Sequence, residues 1–190
     1  HNTIVFFGSA LSVDNETFKK QDHGKAVDIN KAARTSNAYE ACIELAKRIT
    51  SWSGKNTEPE KRFYVCSGGG PGMMEAANKG AEMAGGKSIG FNITLPFEQL
   101  PNKHISPELI FNFHYFFIRK FWFLYYAKAL IGFPGGFGTM DEVFELLTLL
   151  QTRKIEKKIP VVLFDKTFWN EVVNFRALQK YGVISPSDLD

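Results

Sequence analysis

Six short apolar runs punctuate the chain, at residues 4–7, 63–66, 88–91, 109–113, 129–133 and 161–164. Each is apolar throughout rather than alternating, which is the pattern of a parallel strand covered on both faces. Between them the periodicity becomes helical, and the spacing predicts helices over 37–53, 72–84, 118–128, 140–152 and 167–180. Strand and helix in alternation predict a single α/β domain over 1–190, a Rossmann-like open parallel sheet with right-handed crossovers and helices on both faces. Ligands of such folds bind beyond the carboxyl ends of the strands. The polar, aperiodic stretch from 10 to 35 reads as a loop or short insertion.

Composition narrows the function. The chain has 190 residues and a formal net charge of +3, with no run of Lys or Arg to grip a nucleic acid. The apolar stretch 109–133 is broken by Arg119, Lys120 and Lys128, which are costly in hydrocarbon, so it reads as core or subunit interface rather than membrane span. Cys42 and Cys66 lie in apolar surroundings without metal-ligand spacing, and no secretory signal precedes TIVFFGSA. Both features point to a reduced, cytoplasmic protein without a metal site.

Candidate chemistry gathers at three predicted strand ends. GSA follows the first strand, SGGGPGMME (67–75) follows the second, and PGGFGTMDE (134–142) follows the fifth. The last two each open a helix. Glycine lets backbone N–H groups approach a ligand, and a helix N-terminus favours an anion. Ser9, Gly69, Gly70, Gly135, Gly136, Gly138 and Thr139 are therefore candidate ligand contacts. Neither long turn is the dinucleotide fingerprint, because Met73 stands where a third glycine belongs, and AEMAGGKS lacks the order of a phosphate-binding P-loop.

FPGGFGTMDE poses a conflict, since a phosphate cradle is followed at once by two carboxylates. With the helix starting near Thr139, Asp141 and Glu142 fall in its first turn. There Asp141 serves the macrodipole, while Glu142 can face a sugar carbon that turns cationic as its base departs. Arg119, set in the aromatic run FFIRKFW, is the expected cationic partner, and Lys120 beside it reads equally as solvated or ligand-contacting.

PGGFGTMDE, SGGGPGMME and the intervening Arg119–Lys120 pair resemble, in order and from the first strand to about Phe164, the Lonely Guy (LOG) family. Its members are cytokinin riboside 5′-monophosphate phosphoribohydrolases, often labelled lysine decarboxylases. The resemblance implies that Arg119 and Glu142 are the catalytic pair. It implies that Gly135, Gly136, Gly138 and Thr139 cradle phosphate, that Arg119 and Lys120 contact substrate, and that Thr148 is a further contact. Met73 and Met74 lie near the base or serve as helix core. An aromatic replaces the family's usual His before the Arg-Lys pair, as in its larger second subgroup, and relatives continue past SPSDLD into another helix. The implied reaction is hydrolysis of the N-glycosidic bond of AMP or a related purine monophosphate, without cofactor or metal, by a homodimer or higher homo-oligomer. The alternatives are a non-catalytic purine nucleotide sensor and a carrier of molybdenum cofactor, which shares this general fold.

Overall fold

The computed structural model describes residues 2–21, 28–96 and 100–189. Its strands are β1 (Asn2–Phe7), β2 (Phe63–Ser67), β3 (Ser88–Ile93), β4 (Ile110–Phe113), β5 (Ala127–Gly132) and β6 (Val161–Leu163). They form one sheet in the order β4-β3-β2-β1-β5-β6, with every pairing parallel. The helices are α1 (Asn15–Lys20), α2 (Ile29–Asn56), α3 (Met73–Met83), α4 (Phe116–Tyr126), α5 (Phe137–Gln151), α6 (Lys166–Val172) and α7 (Phe175–Lys180). This is the Rossmann-like α/β architecture that the alternating pattern predicts.

Uniformly apolar strands have two faces to cover, and the helices divide them. On one face Val5, Phe7, Cys66, Ile89 and Phe91 pack against Phe123 and Leu124 of α4, Val143 and Leu146 of α5, and Trp169 of α6. On the other, Phe6, Val65 and Ile131 pack against Tyr39, Cys42 and Ile43 of α2 and Ala76 and Ala77 of α3. Both cysteines are buried and free, and burial pushes both thiols up. Among the described residues no helix is long and apolar enough to cross a membrane.

Two readings of the sequence are corrected. The 10–35 stretch contains helix at 15–20 and from 29 onward: Asp14 caps α1, and Asp28 caps α2 by accepting from Asn30 N and Lys31 N. Residues 22–27 lie outside the described residues. The pattern hid these helices because hydrophobic periodicity reports burial, and α2 buries nothing before Ser36. The helix expected over 167–180 is two, divided at Asn174, whose side chain accepts from Ala177 N and starts α7.

Helices α2 and α3 touch at Gly80. A Cβ built there would stand 2.2 Å from Ile43 O and 2.8 Å from Ala46 Cβ. In a solvent-facing helix, Gly→Ala gains about 1 kcal/mol of helix propensity. Here we expect Gly80→Ala to destabilise the fold by about 1–3 kcal/mol, since α2 backbone must move. Denaturant unfolding measures this, and a variant as stable as wild type would show that the pair can separate freely.

Candidate active site

The sheet order reverses direction between β1 and β5, and the crevice at such a switch point is where an open α/β sheet receives its ligand. The three glycine turns meet there through one residue. Ser9 N donates to Pro134 O at 3.0 Å, and Ser9 O accepts from Met73 N at 2.9 Å. The glycines around this junction are steric requirements. A Cβ on Gly8 would meet Met73 Cγ at 2.5 Å, and one on Gly72, where φ is +69°, would meet Ser9 O at 2.4 Å. On Gly135 it would stand 2.1 Å from Thr139 Oγ1.

Gly136 and Gly138 differ, because a Cβ at either would meet nothing within 4 Å. They border open space at the start of α5. No side chain caps this helix, so its first-turn N–H groups are left pointing outward beside those glycines. Thr139 is buried against Gly135.

Helix α5 starts at Phe137, upstream of the expected point, because the extended Gly136 serves as its N-cap. Asp141 and Glu142 therefore sit in the second turn, and the macrodipole account of Asp141 fails. Asp141 instead accepts an ion pair from Lys120 Nζ at 2.7 Å, which Glu145 shares at 2.8 Å.

Glu142 turns inward. Its side chain is 4% exposed and lies 3.6 Å from Nη2 of Arg119, itself 12% exposed. Arg119 comes from the first turn of α4, and its guanidinium lies 5.1 Å from the Phe116 ring centroid and 5.7 Å from that of Phe123. Its Nη1 would be 3.8 Å from a Cβ on Gly68, which ties α4 to the second glycine turn. Glu142 Oε1 and Arg119 Nε are buried without a hydrogen-bond partner. Burial pushes the Glu142 carboxyl up to about 7, although the Arg119 charge pulls it down. Burial likewise lowers the Arg119 pKa against the pull of Glu142 and Asp141. A desolvated carboxylate with unspent charge can stabilise a cation or take a proton from water.

The other candidates separate from this pair. Met73 is wholly buried and is helix core. Met74 stays near the site, its Sδ 2.7 Å from where a Cβ on Gly68 would stand. Gly69, in the left-handed region at φ +74°, and Gly70 form the second turn. Lys120 and Thr148 lie outside, in a groove of about 620 Å³ between α4 and α5 lined also by Phe117, Phe144 and Glu145. Thr148 Oγ1 donates to Phe144 O. Polar side chains buried near the second turn escaped the sequence reading. They are Ser67, Asn78 and Asn92, and their only signal is that they interrupt apolar core positions.

A lysine that forms an imine with pyridoxal phosphate must shed its proton. Burial works to lower the Lys120 pKa, but its hydrogen bonds to Asp141 and Glu145 prevail and raise it. The lysine of this groove does not fit that cofactor. Among the described residues no group of three His, Cys, Asp or Glu side chains could hold a metal ion.

The model of a family described as possible lysine decarboxylase matches residues 74–190. No curated protein matches the chain. Among solved structures, the X-ray structure of TM1055 is 18% identical, with a TM-score of 0.53 over 97% of this chain and 100% of that one. The Moco carrier protein from Chlamydomonas reinhardtii is 18% identical, with a TM-score of 0.52 over 96% and 98%. The molybdenum cofactor binding protein from the phototrophic bacterium Rippkaea orientalis is 17% identical, with a TM-score of 0.53 over 93% and 84%. Similarity at this level establishes the fold.

The Glu142 carboxyl is expected to titrate near 7 by side-chain carbon NMR, and Arg119→Met should push it higher. Since the folded state holds this proton more tightly than the unfolded chain, its contribution to stability is complete below the ordinary carboxylate range and is lost as pH rises through about 7. A Glu142 resonance that titrates together with the exposed glutamates would contradict the burial described here.

Proposed function

The chain belongs to the family described as possible lysine decarboxylase, the LOG-type domain, and from that premise we propose that it hydrolyses nucleoside 5′-monophosphates. The products are a free base and ribose 5-phosphate. The observation that carries this reading is the buried Glu142–Arg119 pair beside the uncapped N-terminus of α5. An anion and a carbon that becomes cationic are thereby addressed by separate parts of one element.

In this reading the first-turn N–H groups of α5 and the backbone of Gly136 and Gly138 hold the 5′-phosphate. The C1′–N bond then breaks, with its electron pair leaving on the base, and C1′ acquires oxocarbenium character. The Glu142 carboxylate stabilises that charge and takes a proton from the water that adds to C1′. The departing base receives a proton in turn. Arg119 orients the carboxylate and the ribose hydroxyls. These groups need little reorganisation because both are already desolvated and Arg119 is held against the Phe116 and Phe123 rings.

The substrate panel that tests this is a set of purine monophosphates and the matching nucleosides, assayed for released ribose 5-phosphate or ribose. We expect AMP-like monophosphates to be cleaved and nucleosides to be poor substrates. Glu142→Gln should lose well over tenfold in kcat, more than about 1.4 kcal/mol, while still binding AMP. Equal kcat/KM for AMP and adenosine would remove the phosphate role of the α5 turn. Binding without any turnover would instead favour a non-catalytic nucleotide sensor or a carrier like the molybdenum cofactor proteins of similar fold.

Helix α4 also suits a second copy of the chain. Tyr115, Phe116, Phe117, Phe121 and Tyr125 are all at least half exposed, and only Phe123 and Leu124 of the helix are buried. The strip carries few charges, and a two-fold contact lets it cover its own counterpart. Light scattering at micromolar concentration should give at least twice the 21.5 kDa chain mass. A fully active monomer would refute the assembly.

A further inference from the structure

The second glycine turn is held from outside by an asparagine that lies beyond the glycine motifs themselves. Asn102 lies in the connection between β3 and β4. Its backbone N donates to Gly69 O at 2.8 Å, and its side-chain Nδ2 reaches Gly69 O at 3.2 Å, Gly70 O at 3.0 Å and Asn78 Oδ1 at 3.0 Å. On the other side of the turn, Ser67 Oγ accepts from Gly69 N and donates to Asn78 Oδ1. The connection is fastened independently to α3 by His104, whose Nδ1 lies 2.6 Å from Glu82 Oε2.

These bonds fix the direction of a peptide. The Gly69–Gly70 peptide is trans, as are all peptides among the described residues, so the C=O of Gly69 and the N–H of Gly70 point opposite ways. With Gly69 O drawn onto Asn102, the Gly70 N–H turns away from the connection. Gly70 is buried, and its N–H has no acceptor among the described residues. A buried, unpaired N–H is costly, and one held in place by its neighbours is a preset donor. Gly68, in the same turn, faces Arg119 and Met74.

We propose that Asn102 is a positioning residue for the candidate site, fixing the second glycine turn so that the Gly70 N–H meets an oxygen of a phosphorylated sugar. The inference rests on the proposed reading of the site, and it deepens that reading by naming what holds the turn. Asn102 does not touch the ligand. Asn102→Asp keeps the shape but replaces the donor amide with a carboxylate facing three oxygens, and the turn loses its hold.

The test measures the dissociation constant for ribose 5-phosphate by calorimetry and the steady-state constants for AMP, on the full chain. Asn102→Asp is expected to raise Kd and KM by about tenfold or more while kcat changes by less than about threefold, the signature of lost uniform binding. His104→Ala, which frees the connection from Glu82 but leaves Asn102 in place, should lower Tm with Kd within about twofold of wild type. Should Asn102→Asp fail to fold, Asn102→Ala takes its place with the same expectation. Kd unchanged in the Asn102 variant, or weakened equally in His104→Ala at a matched loss of Tm, overturns the proposal. Wild type that binds ribose 5-phosphate but cleaves no monophosphate sinks the hydrolase reading and leaves the Kd comparison to decide the role of Asn102. Wild type that neither binds nor cleaves overturns both.

Discussion

A carboxylate cannot stay charged in a protein interior unless something answers its charge, and this constraint on Glu142 organises the whole edge that carries the candidate site. Arg119 is the answer, but at 3.6 Å and without a hydrogen bond it leaves the carboxylate underpaid. To be there at all, the guanidinium must be carried inward on an aromatic helix, between Phe116 and Phe123. That requirement explains a helix whose composition suits neither a surface nor a simple core. The residue after Arg119 emerges on a neighbouring face, where Asp141 and Glu145 hold it in the outer groove. Two adjacent basic residues thus do different things because a helix turns by about 100° between them.

Electrostatics and sterics divide the labour at this edge. The backbone of the glycine turns supplies donors without bringing net charge, so an anion can be received close to Glu142. The acid sits one turn into α5, far enough from the helix start that the two do not contend for the same space. What FPGGFGTMDE presents in sequence as a conflict is eased by the pitch of a helix.

Much of the architecture was legible in the chain. All six strands follow from apolar runs: the four central ones because burial on both faces leaves a pattern that needs no context, and β4 and β6 because they stay apolar though partly exposed at the sheet edges. The helices that escaped are those that bury little: α1 and the first turns of α2 begin at aspartate caps rather than at an apolar stripe. At the site, the glycine turns and the Arg119–Glu142 pair were visible as residue types out of keeping with their surroundings. The role of Asp141 was misjudged because the start of α5 depends on Gly136 adopting an extended cap, a backbone choice that composition does not encode. The second-turn asparagines were invisible for a related reason. Asn102 bonds the main-chain carbonyls of Gly69 and Gly70, which every residue possesses, while Asn78 and Asn92 bond side chains well separated from them in sequence.

The junction at Ser9 is made entirely of main chain, and its side chain only accepts from Leu11 N nearby. Position 9 is therefore free to drift without loosening the scaffold, whereas Gly8, Gly72 and Gly135 around it have no substitute. A substitution at position 9 would therefore change the chemistry offered at this edge while leaving intact the frame that Gly8, Gly72 and Gly135 build around it.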